Sequence, residues 1–118
     1  MTIIIKNKET LLFDDFRFKC AVGKKGLTKI KKEGDFKTPI GIFELGDIYY
    51  RPDKVQKPVS KIKTRIIKKN MGWCDDPNSK HYNKLIKIKK KFQGSFEKLF
   101  RNDSKYDLLI LIKYNYTN

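Results

Sequence analysis

The chain has 118 residues and a mass of 14.0 kDa, which allows one hydrophobic core and excludes a multidomain machine, so a single domain over 1–118 is predicted. Lys and Arg number 28 against 13 Asp and Glu, a formal net charge of +15, and no apolar run reaches the ~18 residues of a membrane span. Two cysteines are too few for a disulfide framework, and whether Cys20 and Cys74 pair stays open.

Apolar residues in the first half of the chain follow the spacing of β-strands. The predicted segments are strands over 2–6, 11–22 and 40–50, with a polar, Lys-rich loop over 23–38. In the second strand, Phe16 and Phe18 fall at every second position with Cys20, so they should share an inner face. Cys20 is accordingly interpreted as a small buried hydrophobic residue.

The second half of the chain continues this pattern with one exception. Strands are predicted over 62–67, 84–91 and 106–114, and an irregular segment over 70–83. Phe96, Leu99 and Phe100 have the i, i+3, i+4 spacing of a helix, and Ser95 could cap its first turn, so a short helix is predicted near 95–101. The last strand is apolar at both parities, which favours a central position. The prediction is a mainly β domain, a mixed sheet or sandwich-like fold, with one short helix.

Several short motifs stand in a fixed order along the chain. They are Glu33-Gly34-Asp35 followed by Thr38-Pro39 and Gly41, Tyr50-Arg-Pro-Asp53, Trp73-Cys-Asp-Asp-Pro77, Tyr82-Asn83, Tyr106-Asp-Leu108 and Tyr114-Asn115. This ordered set resembles the L,D-transpeptidase catalytic domain family, the YkuD-like or ErfK/YbiS/YcfS/YnhG group. The resemblance covers roughly residues 12–116.

The same motifs also make local conformational sense. Gly34 and Gly41 allow backbone conformations closed to other residues, and Pro39 directs the chain from loop into strand. Asp and Asn around Pro77 favour a turn, and Trp73 combines a large apolar ring with one N–H donor. Turn chemistry and packing are therefore one sufficient interpretation of these motifs.

Three motif residues also have a functional interpretation. Glu33, Asp35 and Thr38 carry polar side chains within one short loop, so direct contact with a substrate is the alternative to turn formation. The sequence leaves these two interpretations open.

The resemblance implies an incomplete L,D-transpeptidase-like fold that transfers acyl groups through a cysteine, with peptidoglycan stem peptides as partners and no metal or cofactor. Such a substrate implies the periplasm or cell envelope, although no signal peptide is visible at the start of the sequence. In the family, a His and then a Ser/Thr-x-Gly-Cys stretch come late in the domain. They would follow Tyr114-Asn115, and no segment of this chain matches them. No catalytic residue is assigned, and a truncated chain that is inactive alone is expected.

Two other functions are compatible with residues of this chain. Cys74 and His81 lie close in sequence beside Asp75 and Asp76, the residue types of a Cys–His hydrolase. The net charge alternatively suits a non-catalytic module that binds a polyanion such as nucleic acid or an acidic wall polymer. Lys outnumbers Arg by 24 to 4, which disfavours nucleic acid, because base readers rely on Arg. One His and two distant Cys show no recognisable zinc spacing.

Overall fold

The computed structural model describes residues 2–32 and 34–114 and divides the chain into two compact units, Met1–Ile42 and Phe43–Asn118. All regular structure in these described ranges is β-strand, which confirms the mainly β prediction. Within the same ranges no helix has the length and apolarity needed to cross a bilayer.

The first unit begins with a three-stranded antiparallel sheet. Its strands are β1 (Ile3–Ile5), β2 (Thr10–Phe13) and β3 (Phe16–Lys19). Where one strand over 11–22 was predicted, the chain reverses at Asp14-Asp15, and Asp14 adopts a φ of 50° that short polar side chains tolerate. The expected inner aromatic face is wrong, because Phe16 and Phe18 are 63% and 51% exposed. Cys20 is half-buried with a free thiol.

The rest of the first unit is a pair of loops joined by two very short strands. β4 (Leu27–Thr28) and β5 (Thr38–Pro39) pair in parallel, with Leu27 opposite Thr38. The Ile40 N–H extends the pairing by donating to the Thr28 carbonyl at 2.8 Å. The segment predicted to be a loop therefore encloses a minimal parallel ladder.

The second unit contains two three-stranded sheets. Its strands are β6 (Leu45–Tyr50), β7 (Thr64–Ile66), β8 (Met71–Cys74), β9 (Leu85–Lys87), β10 (Phe96–Lys98) and β11 (Leu108–Ile112). One sheet has the order β11-β6-β7, with β7 parallel and β11 antiparallel to β6, and the other has the order β10-β8-β9. β6 is thus the central strand of its sheet.

The core of the second unit forms around Tyr49, Ile67 and Leu99, which are almost fully buried. Partly buried side chains from both sheets pack against these three: Met71, Trp73, Leu85, Phe100, Tyr106, Leu109 and Leu111. One apolar cluster therefore holds the two sheets together.

β11 does not occupy the central position predicted from its sequence. Among the described residues it lies at an edge of its sheet and pairs with β6 alone. Leu109 and Leu111 pack against the core, whereas Leu108 and Ile112 on the other face are more than half exposed. Apolar residues on both faces of this strand thus give no information about the number of neighbouring strands.

The helix predicted near 95–101 is wrong, because Phe96–Lys98 is β10 and pairs antiparallel with β8. Gly94 precedes it with a φ of 112°, and the Leu99 N–H donates to the Met71 carbonyl at 3.2 Å. A five-residue helical spacing is too short to sustain a nucleus whose first turn is costly. The hydrogen bonds that β8 offers therefore decide the conformation.

Candidate functional site

The Gly-Asp-x-x-Thr-Pro motif of the first unit is a turn organised by Asp35. Its Oδ1 accepts hydrogen bonds from the Lys31 ammonium at 2.6 Å and the Lys37 N–H at 2.9 Å, and its Oδ2 accepts from the Lys32 N–H at 2.9 Å. The Lys31 hydrogen bond, reinforced by the backbone donors, holds the pKa of Asp35 far below its usual range. The carboxylate is therefore ionised and fully engaged in its own loop.

Thr38 attaches this loop to the preceding one. Its Oγ1 accepts a hydrogen bond from the Gly23 N–H at 2.8 Å, and its own N–H donates to the Gly26 carbonyl at 2.8 Å. A Cβ at Gly23 would lie 2.4 Å from the Phe36 carbonyl oxygen, so only glycine permits this approach. The motif thus sets the distance between two loops.

These contacts support the interpretation of the motif as turn chemistry and packing. Asp35 and Thr38 both use their side-chain oxygens to accept hydrogen bonds from the backbone of the first unit. Glu33 lies outside the described residues. Substrate contact by these three residues stays a prediction.

The Trp-Cys-Asp-Asp-Pro motif of the second unit meets two other motifs at Asn83. The Trp73 Nε1–H donates to Asn83 Oδ1 at 3.2 Å, and Asn83 Nδ2 donates to the Tyr114 carbonyl at 3.3 Å. The Asn83 N–H donates to the Cys74 carbonyl at 2.8 Å, with Asn83 at a φ of 58° that Asn tolerates better than most residues. The structure thus brings together Trp73, Tyr82-Asn83 and Tyr114, which are far apart in sequence.

The second of the two aspartates that follow Cys74 begins a turn. Asp76 Oδ1 accepts from the Asn78 N–H at 3.0 Å, and the Asp76 carbonyl accepts from the Ser79 N–H at 3.1 Å. A Cβ at Gly94 would lie 2.7 Å from Asp76 Oδ2, so glycine leaves room for this carboxylate. The turn predicted around Pro77 is confirmed.

The Tyr-Arg-Pro-Asp motif is built around a buried arginine. The Arg51 guanidinium donates to both oxygens of Asp53, at 2.9 and 2.8 Å, and to the Arg101 carbonyl at 2.6 Å. Its carbon lies 3.5 Å from the centre of the Phe100 ring, a cation–π contact. The Arg51 hydrogen bonds also lower the pKa of Asp53. This planar fork uses bidentate and stacking geometry that lysine lacks.

The Tyr-Asp-Leu motif joins this arginine cluster. Leu108 stands opposite Tyr50 in the β6–β11 ladder, and the Arg51 N–H donates to the Asp107 carbonyl at 3.0 Å. Asp107 Oδ1 is buried and makes no hydrogen bond among the described residues, but the Lys54 ammonium lies 3.4 Å away and compensates its charge. Burial, followed by a hydrogen bond to Glu97, raises the pKa of Tyr106.

Sequence reasoning named the Tyr-Arg-Pro-Asp motif but missed the role of Arg51. The available signal was compositional: an arginine is unusual in a chain whose cations are almost all lysine. Arg101, a second of the four arginines, binds Asp103 at 2.7 Å and offers its carbonyl to Arg51. Two of the four arginines, Arg51 and Arg101, therefore form bidentate pairs with a carboxylate.

Cys74 and His81 do not form an accessible nucleophile and base. Cys74 is 0% exposed, at the end of β8, whereas His81 is exposed and its ring lies 6.0 Å from the Phe92 ring. A nucleophile has to be reached by its substrate, and the Cys74 thiol is sealed from solvent. No group of three or more His, Cys, Asp or Glu within the described ranges is placed to hold a metal ion.

We expect a thiol reagent such as dithionitrobenzoate to modify Cys20 at least about tenfold faster than Cys74 in the folded chain, since reactivity requires exposure. Mass spectrometry of digested, partly labelled protein gives the two rates separately. The same chain in 6 M guanidinium is the control and should label both thiols at similar rates. Labelling of Cys74 that is faster than that of Cys20 in the folded chain would support the Cys–His hydrolase hypothesis instead.

Comparison with known proteins adds one positive finding. The family model described as YkuD, L,D-transpeptidase catalytic domain, matches residues 1–110. A search of curated proteins and a search of solved structures gave no significant match. The match covers most of the chain, which therefore belongs to the L,D-transpeptidase catalytic domain family.

Proposed function

We propose that this chain supplies the scaffold and the stem-peptide-binding part of an L,D-transpeptidase-like domain, and that its 118 residues do not catalyse acyl transfer alone. Membership in the family carries the first half of the proposal, because it relates the chain to peptidoglycan. The burial of Cys74 carries the second half.

The pairing of the motifs supports a role shared with the family. The Arg51 N–H binds the Asp107 carbonyl, and Trp73 and Tyr114 meet at Asn83. Each contact joins motifs that lie between 10 and 56 residues apart in sequence. These motifs therefore build one folded unit rather than separate turns.

The reaction catalysed by the family defines the substrate that such a unit must bind. A cysteine thiolate attacks the carbonyl of the third stem-peptide residue, the amide bond to the terminal D-alanine breaks, and a thioester forms. The amine of a neighbouring stem then attacks the thioester and releases the thiol. The substrate is a peptide that branches from a glycan, so binding should depend on the stem and not on the glycan.

Neither cysteine of the chain suits the nucleophile. Cys74 is buried in β8, and neither Cys20 nor Cys74 stands in the Ser/Thr-x-Gly-Cys context of the family's nucleophile. A thiolate at neutral pH requires a nearby base or positive field as well as access. The polyanion module has no support from the family match.

Sedimentation with purified sacculi tests the proposal. At 300 mM salt, which screens surface charge, we expect the chain to sediment with sacculi freed of anionic polymers. The matched control is the same sacculi after an amidase has removed the stems, and binding should then fall at least about tenfold. Equal binding to stem-free glycan contradicts stem recognition. New cross-linked muropeptide dimers, formed only when the chain is added and detected by mass spectrometry, contradict the lack of catalysis.

A further inference from the structure

The acidic groups of the second unit are largely neutralised by ion pairs. Six of its eight Asp and Glu residues bind a cation within 4 Å. The pairs are Arg51–Asp53, Lys54–Asp107, Arg65–Asp47, Arg101–Asp103, Lys105–Glu97 and Lys113–Glu44. Few carboxylates therefore remain to offset the other cations of this unit.

Twelve exposed lysines of the second unit have no carboxylate partner among the described residues. They are Lys57, Lys61, Lys63, Lys68, Lys69, Lys80, Lys84, Lys87, Lys89, Lys90, Lys91 and Lys98. Eleven of the twelve fall in two stretches that contain no Asp or Glu, 54–74 and 77–96. The excess charge is thus segregated along the chain and not spread evenly over it.

The fold brings these two stretches together through two lysine-bearing turns. The Met71 N–H closes the first turn on the Lys68 carbonyl at 3.1 Å, and the Phe92 N–H closes the second on the Lys89 carbonyl at 3.0 Å. The Ile88 N–H donates to the Asn70 carbonyl at 2.7 Å, which places the turns side by side. The basic surface, defined as Lys68, Lys69, Lys87, Lys89 and Lys90, therefore draws on both stretches.

An open depression continues the basic surface. Lys57, Arg65 and Lys68 line it, with Ile66 and Met71 among its apolar lining residues. The two aspartates of the unit that have no cation partner among the described residues, Asp75 and Asp76, follow β8, whereas the first basic turn precedes this strand, and four residues of extended strand span about 13 Å. Among the described carboxylates, Asp47 reaches this region through its ion pair with Arg65, and none is paired with a lysine of the basic surface.

We propose that the basic surface binds a linear anionic polymer with phosphodiester linkages, of the kind carried by cell-wall peptidoglycan. Clustered, unpaired lysine ammonium groups attract phosphates as point charges without fixed geometry, which suits a flexible polymer of repeating phosphates. The choice of a wall polymer as the source of phosphate rests on the proposed function.

Nucleic acid is less well matched to the same surface. Base recognition favours Arg forks and free aromatic faces, whereas Arg65 is paired with Asp47. The ring of Phe92, which closes the second turn, is in contact with the rings of His81 and Phe96, at 6.0 and 5.7 Å. The basic surface therefore offers charge without a stacking platform.

Sedimentation with sacculi that carry the phosphodiester polymer, and with the same sacculi stripped by hydrofluoric acid, tests the proposal at 50 and 200 mM salt. We expect the K68Q/K69Q/K89Q/K90Q variant to bind the polymer-bearing sacculi at least about tenfold more weakly at 50 mM salt. The slope of log K against log salt should fall by about 3, because each neutralised phosphate contributes about 0.7.

The matched control, K6Q/K8Q/K24Q/K25Q, removes four exposed lysines of the first unit and the same net charge. It should bind within about twofold of the parent, as should the K68R/K69R/K89R/K90R variant, which also shows that the turns tolerate substitution. Equal losses in both Gln variants would overturn the proposal, because net charge alone would then explain binding.

Three further outcomes separate this proposal from its alternatives. Binding that is unchanged by stripping the polymer overturns it while leaving stem recognition intact, and loss of stem-dependent binding at 300 mM salt contradicts only the proposed function. Duplex DNA, or vesicles of phosphatidylglycerol, binding more tightly than the polymer at equal phosphate concentration would assign the surface to nucleic acid or to a membrane instead.

Discussion

Replacing Leu99 with alanine is expected to lower the free energy of unfolding of the second unit by about 3 kcal/mol, within the 2–5 kcal/mol typical of buried Leu→Ala substitutions. Leu99 is 2% exposed and belongs to the core cluster with Tyr49 and Ile67. Truncation removes buried methyl groups and leaves a cavity between the two sheets. Urea unfolding followed by the fluorescence of Trp73, which packs against this cluster, gives the measurement.

The control for this prediction is the same substitution at Leu108, which is 52% exposed on the edge strand β11. Leu108→Ala should cost less than about 1 kcal/mol, because much of its apolar surface is already in water. Similar losses at Leu99 and Leu108 would contradict the assignment of the core.

Replacing Gly23 with alanine is expected to destabilise the loops of the first unit by about 3 kcal/mol, near the upper end for overpacking. The new Cβ would lie 2.4 Å from the Phe36 carbonyl oxygen and 2.8 Å from the Lys37 backbone. Both contacts are with backbone atoms, so no change of side-chain rotamer relieves them. Amide exchange of Lys25 and Thr38, whose N–H groups bridge the loops, should accelerate about 100-fold in the range where exchange follows local opening.

Gly34→Ala provides the control for Gly23→Ala. Gly34 has a φ of 79°, and, its chain neighbours apart, no heavy atom of the described residues lies within 4 Å of the point that an added Cβ would occupy, so alanine adds conformational strain of about 1–2 kcal/mol without a clash against those residues. The amides of Lys25 and Thr38 should therefore accelerate less in this variant. Equal acceleration in both variants would show that strain, and not close packing at Gly23, limits the loops.

Local patterns were sufficient to predict strands in which apolar residues follow one another, or alternate with polar residues, over a few positions. The predicted segments over 2–6, 40–50, 62–67 and 84–91 each contain an observed strand, β1, β6, β7 and β9. The helix near 95–101 failed because its conformation depends on hydrogen bonds to β8, which lies more than 20 residues earlier. The single strand over 11–22 failed because the polar pair Asp14-Asp15 forms a turn between β2 and β3.

Only part of the candidate site could be predicted from the sequence. The motifs themselves could be named, and the turns at Asp35 and Asp76 follow from the chemistry of short polar side chains. Their partners could not be named, because Asn83 joins Trp73 to Tyr114 only after the second unit has folded. Spacing along the chain carries no information on such tertiary contacts.

The ladder between β6 and β11 has a consequence for synthesis of the chain. Ile48 pairs with Ile110, 62 residues later, so β6 lacks its antiparallel neighbour until nearly the whole second unit has left the ribosome. Until then, the apolar run from Ile48 to Tyr50 remains without this partner. Such distant pairing slows folding and prolongs the exposure of aggregation-prone intermediates. The abundant lysines, by mutual repulsion between nascent chains, would delay their aggregation during that interval.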